Sequence, residues 1–270
     1  MFVTRLISGI CLVAAALFLF AYGGVPLIIT IACLSLVGSF ELYRVLKMED
    51  HPIAIASYIT TIVYYVLMFF GLVRWTIALI ILLLIVIMVI YVLDYPKVRV
   101  DKVALGFMGF VYVSLSLSCI YQTRALEGGH WFVWMIIIGS WGSDTCAYVV
   151  GRLFGKHNFS ELSPKKTIEG CVGGVVGAGL IAFLYSLYFP YGYKFVLDYH
   201  FSLVVIAMLC ALISQFGDLA ASAIKRNYDV KDYGKIIPGH GGVLDRFDSV
   251  IFVAPFVYYL LILVSTYKLF

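Results

Sequence analysis

The sequence predicts an all-α, polytopic integral membrane protein of about nine transmembrane helices, with two polar cytoplasmic loops. Three observations predict it. Of 270 residues, 63% are hydrophobic and 13% are charged, against an apolar share of roughly 45–50% in soluble domains. The apolar residues gather into runs close to the ~20 residues that a bilayer-spanning helix needs. Lys and Arg then fall on one side of the alternating topology: 15 of the 19 lie at the N-terminus and in the even-numbered loops, which by the positive-inside rule are cytoplasmic.

The nine spans are read at 5–22, 25–42, 53–73, 76–93, 103–122, 131–150, 170–190, 201–220 and 250–267. Only Gly23 and Gly24 separate the first two, with Pro26 beyond, so they are either a tight hairpin or one broken helix. The first also has signal-peptide character with Arg5 as its charged start, but the eight later spans favour an anchor that stays. The first five spans, with short loops, read as scaffold. Span seven carries Gly170, Gly173, Gly174, Gly177 and Gly179; its two overlapping G-x-x-x-G spacings predict close helix packing, within the chain or across a homodimer. The six cysteines lie in or beside apolar segments without Cys-x-x-Cys spacing and read as small core residues. The chain is therefore taken as one membrane domain, 1–270, with scaffold spans over 1–122 and working spans and loops over 131–270.

Two loops stand out for length and charge, Gly151–Glu169 and Ala221–Ser249. Within the second, Ser222–Asp248 packs five cations, four acids, one histidine and four glycines into 27 residues. Basic groups suit anionic oxygens, carboxylates suit a hard cation, and glycines let backbone approach a ligand. The combination points to a metal-bound phosphate compound. The net charge of +4 needs no nucleic-acid partner, because its sidedness suits anionic membrane lipids.

An ionised acid inside a span is costly and hence a functional hypothesis by default. Two are read here, Asp144 in G-S-W-G-S-D-T-C-A-Y and Asp218 in S-Q-F-G-D-L-A, both near the cytoplasmic boundary. Asp245 and Asp248, one helical turn apart before span nine, would point from one face. Together the four form a candidate metal site, with Mg²⁺ favoured by an all-oxygen donor set and zinc disfavoured. The bland alternative is that Asp144 and Asp218 cap helices or pair with Arg226 or Arg246. Asp229 and Asp232 read as solvated partners of Lys225 and Lys231. In the first loop Ser163 is expected as N-cap and Pro164 as first helical residue of span seven. Lys165, Lys166 and Thr167 then stand at a helix N-terminus, which attracts phosphate; no Walker spacing is present. His240, flanked by glycines, is a candidate for a phosphate contact or proton handling, or a structural histidine.

The pattern S-x-x-K-R-x-x-x-x-K-D-x-G-x-x-I-P-x-H-G-G-x-x-D-R-x-D, running unbroken from Ser222 to Asp248, resembles the signature of phosphatidate cytidylyltransferases, also called CDP-diacylglycerol synthases. The S-P-K-K-T-x-E-G loop and the acid of span six are similar to that family as well. The resemblance implies an inner (plasma) membrane enzyme whose partners are CTP, phosphatidic acid and membrane lipids. It implies formation of CDP-diacylglycerol and pyrophosphate with Mg²⁺, alone or with a second cation. Read with the residues, it suggests metal ligation by Asp144, Asp218, Asp245 and Asp248. Ser163, Lys165, Lys166 and Thr167 would hold the triphosphate. Lys225, Arg226 and Lys235 would steady the lipid phosphate or the departing pyrophosphate, with His240 and Arg246 completing the catalytic set. Two rivals stay open: a CTP-dependent lipid kinase, and a cation-coupled transporter, whose acids would sit nearer the midplane.

Overall fold

The computed structural model describes residues 2–160, 162–164, 166–188, 199–239 and 241–266. Its described secondary structure is helical, apart from two isolated bridges. The helices are α1 (Phe2–Tyr22), α2 (Gly24–Val45), α3 (Pro52–Phe69), α4 (Thr76–Leu93), α5 (Val100–Ala125), α6 (Gly129–Phe154), α7 (Ile168–Ser186), α8 (Tyr199–Asn227) and α9 (Leu244–Thr266). Among the described residues eight of the nine spans read from the sequence, α2 to α9, are long and apolar enough to cross a membrane. Two compact units result: Met1–Tyr121 with Tyr228–Arg246, and Gln122–Asn227 with Phe247–Phe270.

In the first unit, α1 and α2 are separate helices because Gly23 and Gly24 take φ of 68° and 53°, a left-handed break that favours glycine. A ladder of hydroxyls then ties α2, α3 and α5 together. Ser35 meets Tyr65 at 2.7 Å, Thr61 meets Ser114 at 2.8 Å and Tyr64 meets Ser118 at 2.8 Å. Away from water such polar groups need partners, and interhelical hydroxyl pairs supply them. The Tyr43 hydroxyl donates to the Gly106 carbonyl at 2.7 Å, and only a glycine at 109 admits the Tyr43 ring, since a Cβ there would stand 2.4 Å from its oxygen. By contrast α4 is apolar all round, and Ile77, Leu82 and Leu93 are exposed, as suits a lipid-facing helix.

In the second unit, α7 lies along α6 through its glycines. A Cβ at Gly173 would meet Val150 at 2.5 Å and one at Gly177 would meet Cys146 at 2.5 Å. The glycine spacing is thus used inside the chain. On α7's other side Gly179 faces Met208 of α8, and Gln215 of α8 donates to the Cys171 carbonyl at 2.9 Å. Gly173→Val is expected to destabilise the protein by about 2 kcal/mol through overpacking of this seam. Thermal melting in mild detergent checks it, and an unchanged midpoint would remove the seam as a source of stability. All six cysteines are free, but only Cys119, Cys171 and Cys210 are core residues: Cys11 and Cys33 are exposed and Cys146 is half-buried, because they lie on outward faces of their apolar helices.

Three boundaries differ from the sequence reading. The helix cap before α7 is Thr167, not Ser163: its Oγ1 accepts the Gly170 N–H at 3.1 Å. Ser163 instead closes a turn through Lys166 N–H at 3.0 Å, and the Phe159–Lys166 and Ile168–His157 backbone bonds keep the approach extended. Glu169 anchors the same loop, taking the Lys156 and His157 N–H groups at 3.1 and 3.3 Å. The polar stretch is also shorter as a loop than Ala221–Ser249. Residues up to Asn227 continue α8 and those from Leu244 begin α9. Lys225 and Arg226 in the last turn of α8, and Asp245 in the first turn of α9, oppose the helix dipoles favourably. Polar helix ends therefore project beyond the apolar windows that marked the spans.

Candidate active site

In the second unit, four elements bring polar side chains together. α6 contains a π-helical turn over Ile138–Gly142, immediately before Ser143 resumes the α-helix. Such turns shift the register of the helix beyond them and recur at functional sites; here the next residue but one is Asp144. Its Oδ2 accepts the Ser249 hydroxyl of α9 at 3.3 Å. Asp248 is buried beside it at 8% exposure, with Oδ1 accepting the Ser249 N–H at 2.8 Å. The charges that act on Asp248 are those of Asp218, Lys225 and Asp144.

Asp218, near the polar end of α8, forms an ion pair with Lys166, both side chains about a quarter exposed. Lys225 comes seven residues after Asp218, two turns on along the same helix face. α9 comes close because Gly217 has no side chain: a Cβ there would stand 2.9 Å from the Asp248 carbonyl. Three carboxylates and two ammonium groups thus share the polar ends of α6, α8 and α9 and the entry to α7. Of the alternatives for Asp218, an arginine pair is replaced by a lysine pair from the other basic loop.

The other expected residues lie elsewhere or serve other ends. Arg226 is exposed in the last turn of α8, and Thr167 uses its hydroxyl as the α7 cap. Lys165 and His240 lie outside the described residues. Lys235, Asp245 and Arg246 belong to the first unit. There the Asp245 Oδ2 accepts the N–H groups of Tyr233 at 2.8 Å and Gly242 at 3.0 Å, so it organises the 228–243 loop. Arg246 is half-buried, its N–H bonded to the Val243 carbonyl at 2.9 Å.

One further intramembrane acid escaped the sequence reading, which counted two. Glu41 of α2 is fully buried. Its Oε2 accepts the Leu244 N–H at 2.9 Å, and its Oε1 is buried without a hydrogen-bond partner. A Cβ at Gly234 would stand 2.0 Å from Oε1, and one at Gly242 would stand 2.5 Å from either carboxylate oxygen. The loop glycines therefore exist to admit this carboxyl group. Its sequence signal was a lone acid in S-F-E-L-Y, inside the span read at 25–42 and not singled out there.

Among the described residues no group of three His, Cys, Asp or Glu side chains gathers as a metal cage. Mg²⁺ does not require one. It is usually bound through one or two carboxylates, keeps several waters and takes phosphate oxygens as further ligands. Asp218 and Asp248 offer an oxygen-only pair of that kind, and the ammonium of Lys166 on Asp218 marks the position as one that accepts a cation. By donor chemistry the residues fit a hard divalent ion.

Comparison with known proteins identifies the family. The profile of the Cytidylyltransferase family matches residues 3–264. The phosphatidate cytidylyltransferase of Bacillus subtilis (strain 168) is 33% identical over 97% of this chain and 98% of its own length. Proteins of the same name from Staphylococcus saprophyticus and Staphylococcus aureus (strain COL) are 39% and 41% identical, each over 59% of both chains. With Asp248 buried beside Asp144 and Asp218, a basic partner from the first loop and a family match over nearly its whole length, this membrane chain is a nucleotidyltransferase and belongs to the cytidylyltransferase family.

Proposed function

We propose that the protein transfers a cytidylyl group from CTP to phosphatidic acid, giving CDP-diacylglycerol and pyrophosphate, in a reaction that requires Mg²⁺. The observation that carries it is the Lys166–Asp218 pair beside buried Asp248 at the polar ends of apolar helices; relatives named for this activity support it. Orientation by Lys and Arg puts this face in the cytoplasm of a cell bounded by the plasma membrane, where CTP is found.

Asp218 and Asp248, with Asp144 beside them, would hold the metal ion, which when bound neutralises phosphate charge as a Lewis acid. The protein's own work is positioning and electrostatics. A phosphatidate oxygen attacks the α-phosphorus of CTP, the bond to the bridging α–β oxygen breaks, and pyrophosphate leaves with that oxygen. Lys166 exchanges its carboxylate partner for triphosphate oxygens, and Lys165 beside it adds a second cation. Lys225 and Arg226, at the last turn of α8, hold the lipid phosphate while the acyl chains stay in the hydrocarbon.

A CTP-dependent lipid kinase would release CDP instead. Purified protein in mixed micelles with phosphatidic acid, CTP and Mg²⁺ is expected to release pyrophosphate stoichiometrically with lipid product, and to stop when EDTA is added. CDP as the released nucleotide, or no lipid-dependent turnover, would overturn the assignment.

A further inference from the structure

We propose that the first unit carries a phosphate-binding site of its own residues, in the cleft between the C-terminal turn of α2 and the 228–235 segment. The cleft has a volume of about 570 Å³, and Arg44, Lys47, Lys231 and Lys235 line it against one acid, Asp232. None of the four cations is ion-paired within 4.0 Å among the described residues. Four cations around one concave space, with one carboxylate to balance them, suit an anion bearing several oxygens.

Two further observations distinguish this cleft from a merely basic surface. Arg44 is held in place before any ligand arrives: its guanidinium lies over the Phe40 ring at 5.7 Å and donates to the Tyr233 carbonyl at 2.7 Å. A fixed guanidinium loses little freedom on binding an oxyanion. The backbone is also strained at the rim. Lys47 and Asp229, each with φ 54°, are the two non-glycine residues with positive φ among the described residues. Lys47 comes just after the C-cap of α2, with Met48 N–H bonded to the Tyr43 carbonyl at 2.9 Å, a turn in which glycine is the favoured residue. A lysine there keeps a charge at the cleft at a cost in backbone strain.

The ligand chemistry is a phosphate group. It can come from a lipid headgroup, since α2 is a membrane-crossing helix and Ile236 beside the cleft is exposed, or from a soluble polyphosphate. The site is independent of the cytidylyl-transfer reading, because its test reads binding and not turnover.

Wild type, Arg44→Gln/Lys47→Gln, and a control pair of equal charge loss, Lys97→Gln/Arg99→Gln, are titrated in detergent. One arm uses inorganic pyrophosphate with calorimetry as the readout. The other uses phosphatidylglycerol with native mass spectrometry. The cleft pair is expected to weaken binding about tenfold on at least one arm, as loss of charge-assisted contacts does, while the control pair stays within about twofold. Weakening on the lipid arm alone identifies a headgroup, and on the pyrophosphate arm alone a soluble polyphosphate. Lys47→Gly guards against misfolding: relief of the left-handed strain should raise the melting temperature while loss of the ammonium weakens binding. Wild-type affinity of both cleft variants on both arms, or equal weakening in the control pair, overturns the site.

Discussion

Asp248→Asn and Asp218→Asn are each expected to lower pyrophosphate release by on the order of 10²–10³-fold, the effect of removing one preorganised electrostatic group from a reacting phosphate. Both substitutions keep side-chain volume, so expression and a monodisperse elution profile should be retained. The structure adds a relation between two residues that the acids alone lack. Because Lys166 pairs with Asp218, Lys166→Met and Asp218→Asn act on one unit, and their combination should fall well short of the product of the single effects. Wild-type rates in either aspartate variant would remove that residue from the site. Multiplicative effects in the double variant would separate Lys166 from Asp218 functionally.

Glu41→Ala is expected to cost about 2–4 kcal/mol of stability, because it leaves a cavity in a buried position and strips the Leu244 N–H of its acceptor. The 228–243 loop is folded around two acids. Glu41 takes the N–H at the start of α9, while Asp245 takes the Tyr233 and Gly242 N–H groups. Glu41→Gln retains an acceptor and most of the volume, so its loss should be smaller. Gly242→Ala should resemble Glu41→Ala, since its Cβ would stand 2.5 Å from the carboxylate. Thermal unfolding of all three in one detergent orders them. A Glu41→Ala protein that melts with the wild type would show that the carboxyl group does not hold the loop.

The fold was readable wherever the signal is an average over many residues. Among the described residues each of the nine apolar runs falls on a helix, eight of these long and apolar enough to cross a membrane, and the glycines of 170–179 do mark close packing. Helix ends were less readable, because hydropathy windows stop where charge begins although the backbone continues. Lys225 and Arg226 looked like loop residues and are the last turn of α8. Ser163 had the right side chain for a cap, yet Thr167 won because the 157–168 backbone bonds hold the intervening segment extended.

Composition and spacing were enough to establish a polytopic membrane protein, the loops that carry its charge, and the aspartates worth testing, while the enzymatic reading came from the resemblance of Ser222–Asp248 to a known family. These arise from the separation of oil-soluble from water-soluble residues along one chain, a local property. Which charges meet was settled by packing. Lys166 and Asp218 are 52 positions apart and pair, Glu41 and Leu244 are 203 apart and bond, and the seam of α7 closes on α6 within the chain. Such contacts depend on how helices cross and on where a missing Cβ lets two backbones approach, and neither is encoded at any single position.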